Sequence, residues 1–286
     1  MALVVNTNVM SLTSQRFLSN NSEMLQKSLE KLSSGYRINR AGDDAAGLQV
    51  SEGLRSQIRG SKMALGNVQD GMNVMNIADG ALSVITDNLQ RMRELVVQAA
   101  NDTNSVSSRA AIQQELESRA ADITRISGST AFNGVNLLDG TTNGAGTFVL
   151  QVGANNSTTN DVIDLGNAGG FAAVDAANLG VDASNLAVDN NGNALTTLAL
   201  IDTAISTINT QRATIGSVVN QLSSASQSLQ LAIENLSTSE SRIRNVDVAA
   251  ESATMTQNQI LQQSAAIVLG QANQVPNLAL QLLRGQ

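Results

Sequence analysis

With His and Cys missing, carboxylates are the side chains here best suited to the usual work of catalysis or metal binding. The 286 residues include 24 Asp and Glu but no His and no Cys. Histidine is the common general base near neutral pH and, with cysteine, the common transition-metal ligand. A Ser-His-Asp or Cys-His arrangement is therefore impossible, and carboxylate-only chemistry remains as a residual possibility. We expect no enzyme, no metal and no cofactor. The charges are unevenly placed: residues 1–62 carry eight Lys/Arg against five Asp/Glu, and no Lys or Arg lies between Arg125 and Arg212. The acidic middle reads as a solvated, repulsive surface in preference to a cation site. A net charge of −7 opposes a nucleic-acid binder, which needs a basic face.

With so little chemistry on offer, the elements carry the meaning. From Ile201 every seventh residue is apolar: Ile201, Ile208, Ile215, Leu222, Leu229, Leu236 and Ile243. The interleaved set is Leu198, Ile205, Arg212, Val219, Ser226, Ile233 and Glu240. This three-four spacing is that of a helix in a left-handed coiled coil. Roughly fifty helical residues extend about 75 Å, more than the roughly 50 Å across a compact globule of this size. The fold expected is mainly α: an elongated antiparallel coiled-coil rod. An aromatic content of 2% agrees with helices packed by Leu, Ile, Val and Ala.

A second long helix is predicted from about Ala45 to Asn101, with Asp43 or Asp44 as N-cap. Its seam is Leu65, Val68, Met72, Met75, Leu82, Ile85, Leu89, Met92 and Val96, slipping near Asp79-Gly80. A shorter helix, about Ser107 to Ser127, packs Ile112, Leu116, Ile123 and Ile126. Phe132 to Gly140 is turn-rich, and Thr147–Val152 and Asp161–Leu165 read as paired strands. Gly166–Gly192 reads as loops. This small β-hairpin lobe is expected to cap one end of the rod.

The two ends of the chain are different again. Residues 8–33 repeat Leu18, Leu25 and Leu32, with Leu29 between, and Gly35 is the expected helix stop. Ser252–Leu283 has no charge, and its small or apolar positions are Leu261, Ala265, Val268, Ala272, Val275, Ala279 and Leu282, with Gln and Asn between. Such a helix can bond neighbouring chains without burying charge, in preference to a frayed amphipathic tail. Pro276 marks an expected kink or end. Two such marginal helices are expected to fold on association. MALVVNTNVM lacks the basic and apolar regions of a secretory signal, and no stretch of 18 apolar residues would span a membrane.

Four stretches together resemble bacterial flagellin: LQKSLEKLSSGYRINRAGDDAAGLQVSEGLRSQIRG (25–60), LQRMRELVVQAAN (89–101), STAFNGVNLLDG (129–140) and ILQQSAAIVLGQANQVPNLALQLLR (260–284). The resemblance spans nearly the whole chain, with a short middle and almost no outer domain. It implies the structural subunit of the flagellar filament, a motility propeller outside the cell, built by self-assembly into a helical tube. It implies terminal polymerisation segments at 1–45 and 246–286 that form a coiled coil on assembly and line the tube. A rod at 46–140 and 195–245 and a surface segment at 141–194 complete the expected domains. Polymerisation is then expected through Leu18, Leu25, Leu29, Leu32, Leu261, Val268, Val275 and Leu282. Implied partners are further copies of the chain, cap and hook-associated proteins, an export chaperone at the C-terminal region and the flagellar type III export apparatus, without cleavage.

The family is also sensed by a vertebrate Toll-like receptor, and that motif falls on Arg91, Leu95 and Glu115, beside Gln90 and Glu94. Arg91 and Leu95, spaced i, i+4, are expected on one helix face, which also serves contacts between subunits. Val246-Asp247-Val248 departs from the family pattern of acidic residues and an aromatic, and Gly285-Gln286 is a small extension. Without His, the zinc protease motif of some members cannot exist here. The rivals are a hook–filament junction protein, which shares weaker terminal similarity, and a type III secretion translocator, which needs a membrane-inserting stretch.

Overall fold

The computed structural model describes residues 7–140, 148–166 and 171–284, with side chains up to Val275. In chain order these form α1 (Val9–Ser34), α2 (Ala45–Ala99), α3 (Val106–Ser129), β1 (Ala131–Phe132), β2 (Val135–Asn136), β3 (Val149–Gln151), β4 (Val162–Asp164), α4 (Asn191–Arg244) and α5 (Val248–Arg284). The fold is mainly α with two small antiparallel hairpins, β1–β2 and β3–β4. The chain divides into two compact units, one of residues 1–56 and 235–286, the other of 57–234.

Polar residues at the breaks set the helix ends. Asn8 caps α1 by accepting from the Ser11 N–H, and Gly35 ends it in the left-handed conformation at φ 75°. Of the two candidate caps for α2, Asp44 does the work, accepting from the Gly47 N–H at 2.8 Å. Asp43 instead accepts from the Asn39 and Arg40 N–H groups, which hold its carboxyl below the usual range, Arg40 most strongly. Asp247 caps α5 through the Ala249 and Ala250 N–H groups. That answers the departure at Val246-Asp247-Val248: a short acidic side chain sits where an N-cap is required.

The large hydrophobic cluster lies wholly in the 57–234 unit. Val68, Met75, Leu82, Ile85, Leu89, Met92 and Val96 of α2 are buried against Ile112, Leu116 and Ile123 of α3 and Ile201, Ile208, Ile215 and Leu222 of α4. Facing pairs run in opposite directions: Arg93 to Asp202 and Asp79 to Arg212 join α2 to α4, and Asn88 to Arg119 joins α2 to α3. Both pairings are antiparallel.

After α3 the expected strand pair is present as β3–β4, but the segment lies elsewhere than expected. β1 and β2 are joined by Asn133-Gly134, both at positive φ (49° and 80°), the primed two-residue turn that suits strand twist. Leu137 and Leu138 beyond it are fully buried. β3–β4 then lies where α3 has ended. Leu150 seats against Gly71 of α2, the Asn67 side chain donates to the Gln151 carbonyl, and Ala154 meets Gly60. Further on, the Gln211 amide donates to the Ala172 carbonyl, the Ala176 N–H donates to Thr124, and Thr197 donates to the Ala187 carbonyl. These contacts run along α2, α3 and α4 from Gly60 to Thr197. The lobe is therefore not an end cap: it completes the third layer over α2 and α4. Phe171, Val174, Leu179, Val181, Leu186 and Val188 drive this by burying themselves in the shared core. The Thr147 end of the expected first strand lies outside the described residues.

Candidate functional site

The 1–56 and 235–286 unit is built on a different plan. α1 and α5 pack antiparallel. Asn8 meets Ala272, Ser11 meets Asn273, Ser22 meets Gln262 and Lys31 meets Glu251. The α1 face turned to α5 steps by threes and fours through Ser11, Ser14, Leu18, Asn21, Leu25, Ser28 and Leu32, all buried or half-buried. Opposite it run Glu251, Met255, Asn258, Gln262, Ala265, Leu269 and Ala272. The most deeply buried of these side chains are Ser14, Ser28, Asn258 and Ala272. Among the described residues this unit buries only two hydrophobic side chains fully, Ile38 and Ala272.

The large apolar side chains point outward instead. On α1 Val9, Met10, Leu12, Phe17, Met24 and Leu29 are exposed, Phe17 by 54%. On α5 Val248, Ile260, Leu261, Ile267 and Val268 are exposed, Ile267 by 70%. Phe17, Leu261 and Val268 line an apolar groove between the two helices, floored by Ser14, Asn21 and Ala265. Of the residues singled out from sequence, Leu18, Leu25, Leu32 and Val275 are half-buried, whereas Leu29, Leu261 and Val268 are exposed. The α5 seam facing α1 runs instead through Met255, Gln262 and Leu269, because the 3.6-residue turn puts Leu261 and Val268 one position round the helix. The side chain of Leu282 lies outside the described residues. Met10, Phe17 and Met24, and likewise Ile260 and Ile267, were missed, although each set repeats every seven residues.

α5 also does not stop at Pro276; it continues to Arg284. Proline lacks an N–H, so it leaves the Ala272 carbonyl without its helical donor. The Asn8 side-chain amide donates to that carbonyl at 2.7 Å.

Where the terminal helices meet the long ones, Tyr36 and Asn245 form an antiparallel bridge. The Arg37 N–H donates to the Arg244 carbonyl and the Val246 N–H to the Gly35 carbonyl, at 2.7 and 3.0 Å. The Arg244 guanidinium lies 4.6 Å from the centre of the Tyr36 ring and donates to Glu52. This hydrogen bond holds the Glu52 carboxyl below its usual range. The Arg244 Nε is buried without a partner among the described residues.

On α2 and α3, Arg91 pairs with Glu94 at 2.9 Å and with Glu115 at 3.5 Å, which raises its pKa, the Glu94 hydrogen bond most strongly. Gln90, Arg91 and Glu94 are exposed and Glu115 half-exposed, but Leu95 is only 3% exposed. Arg91 and Leu95 therefore do not present one accessible face. Leu95 belongs to the core that supports the charged trio. Among the described residues no group of three or more acidic side chains could hold a metal ion, and no helix is long and apolar enough to cross a membrane.

The chain is similar to known proteins. The family described as bacterial flagellin N-terminal helical region matches residues 5–143, and the bacterial flagellin C-terminal helical region matches 198–283. A flagellin of Halalkalibacterium halodurans is 40% identical over 282 residues, covering 99% of this chain and 100% of that one. A flagellin of Bacillus subtilis is 41% identical over 302 residues, covering 98% and 99%. A solved structure of a putative flagellar hook-associated protein from Vibrio parahaemolyticus aligns with a TM-score of 0.57 at 15% identity, covering 71% of this chain and 100% of that one, a likeness of fold alone.

Proposed function

The chain belongs to the bacterial flagellin family, a structural subunit of the extracellular flagellar filament that polymerises with copies of itself, and from that premise we propose that the outer faces of α1 and α5 make the contacts between subunits. One observation carries this reading. The helix pair buries Ser14, Ser28 and Asn258 while exposing Phe17, Leu261, Ile267 and Val268. Burial of apolar surface drives association at about 25 cal/mol per Å². A pair that buries Ser and Asn while leaving many large apolar side chains outside gains that energy by packing against further copies of the chain. Leu29, Leu261 and Val268 then act at subunit contacts, and Leu18, Leu25, Leu32 and Val275 act by holding the pair together. Leu282 belongs to the same continuing helix.

On this reading the polymerising segments are 1–45 and 246–286, with 46–140 and 195–245 as the supporting helical domain and 141–194 facing outward. The uncharged run 252–283 of α5 suits an export chaperone and the type III export apparatus, both of which would engage an unpaired helix. Cap and hook-associated proteins would meet the same faces at the filament ends. Gln90, Arg91, Glu94 and Glu115 form the surface offered to neighbouring subunits and to a vertebrate Toll-like receptor, with Leu95 beneath it.

The test uses the full chain carrying Phe17→Asp or Ile267→Asp. Each variant should keep the thermal transition of the 57–234 unit, yet remain unassembled by sedimentation and electron microscopy. Filaments of ordinary length and yield from both variants would overturn the proposal.

A further inference from the structure

We propose that Asn8 is the residue that sets the register of α1 against α5, by supplying the hydrogen-bond donor that Pro276 takes away. The inference rests on the reading that this helix pair persists in the assembled subunit. Heptad-spaced seams leave register weakly defined: a shift of seven residues puts Leu25 where Leu18 was, and Ser28 where Asn21 was. Little energy separates such alignments when the buried positions are Ser, Asn and Ala. A single polar residue with one satisfiable position is the recognised remedy in coiled coils.

Asn8 has that property. Its Nδ2 donates to the Ala272 carbonyl at 2.7 Å, and its Oδ1 accepts from the Ser11 N–H at 3.1 Å. The two partners fix the amide orientation, because only the nitrogen can face a carbonyl and only the oxygen an N–H. Pro276, the sole proline of the chain, leaves that carbonyl unmet. Ala272 is 2% exposed, so bulk water does not replace the missing donor. A slip of one heptad moves the helices about 10 Å past one another. Asn8 would then lose the carbonyl, and the carbonyl would be left buried and unsatisfied. Losing such a bond corresponds to about a tenfold change in the ratio of correct to slipped alignment.

The absence of cysteine makes the register directly measurable. Ser11 and Asn273 touch at 2.7 Å, so Ser11→Cys/Asn273→Cys reports the correct register on oxidation. Ser11→Cys/Ala266→Cys reports a slip of one heptad. Each pair is introduced into the full chain and incorporated as a minority into filaments of the unmodified protein. Asn8→Asp keeps an N-cap acceptor but loses the donor, and Asn8→Ser keeps the acceptor but ends its hydroxyl one bond short of the amide nitrogen that donates to Ala272. Both should lower the ratio of the 11–273 to the 11–266 cross-link about tenfold. Adding Pro276→Ala, which restores the backbone N–H, should bring it back, along with any lost incorporation. A residue acting only as a helix cap would tolerate Asp and show no dependence on Pro276. The proposal is overturned if the substitutions leave that ratio unchanged, or if Pro276→Ala rescues neither the ratio nor incorporation. It is equally overturned if filaments form while the parent pair never cross-links at 11–273, a result that leaves the assembly reading standing.

Discussion

Arg212 Nε lies 2.8 Å from Asp79 Oδ1, joining the one basic interruption of the α4 seam to the place where the α2 seam slips. The seam leaves its apolar spacing on both helices at the same level, and a charge pair occupies the gap. Both side chains keep more than a third of their surface, 34% and 41%. Solvent therefore screens the pair. Asp79→Asn should cost less than about 1 kcal/mol, and the difference from the parent should shrink in high salt. Chemical denaturation at two ionic strengths checks this. A loss of several kcal/mol, insensitive to salt, would show that the pair is desolvated.

Glycines of α2 should separate by what faces them. A Cβ at Gly71 would lie 2.5 Å from the Leu150 side chain, whereas one at Gly66 would meet nothing within 4 Å. Gly71→Ala should destabilise by about 1–3 kcal/mol through overpacking. Gly66→Ala should stabilise by up to about 1 kcal/mol, because glycine is a poor helix former. Thermal melts of the two single variants give the signs directly.

Leu95 and Arg91 should respond in opposite ways. Leu95→Ala removes a buried side chain and should cost about 2–5 kcal/mol. Arg91→Ala, on an exposed side chain, should stay within about 0.5 kcal/mol. If the proposed receptor contact runs through this surface, the Arg91→Ala monomer should activate the receptor less than the parent while keeping its fold. Full activation by that monomer would remove Arg91 from any receptor contact.

Acid should loosen the junction at Arg244. The Arg244 hydrogen bond lowers the folded pKa of Glu52 below 4.5. A depressed carboxyl pKa stabilises the fold above the unfolded value, and that contribution is lost as pH falls through the folded value. Protection of the Arg37 and Val246 amides, measured by hydrogen exchange, should decline as pH falls below about 4.5, after correction for intrinsic exchange. In Glu52→Gln this dependence should be weakened. An unchanged profile in the variant would assign the acid sensitivity to another group, with Asp43 the next to test.

Much of this molecule follows from local rules acting on the chain itself. The seven-residue repeat of Ile201 to Leu222, the cap at Asp44 and the stop at Gly35 are each decided within a few residues by helix geometry and backbone hydrogen bonding. The lack of His and Cys excludes every site that needs either residue, with no reference to shape. The stretch from Phe132 to Gly140 was legible as turn-rich, but not as the hairpin that Asn133-Gly134 makes between β1 and β2.

Tertiary structure decided which apolar residues are inside. Leu261 and Leu269 look alike in sequence, yet one is exposed beside Phe17 and the other faces α1, because the position of the partner around the helix selects the buried stripe. Leu95 passed for a surface residue until α3 covered it. Phe171 to Val188 read as a loop by composition, but its side chains complete the layer that α3 leaves unfinished. Asn8 and Pro276 are 268 positions apart, and neither signals the other locally. Periodicity fixes a face only relative to its own helix axis; which face is buried depends on what packs against it, and distant parts of the chain supply that.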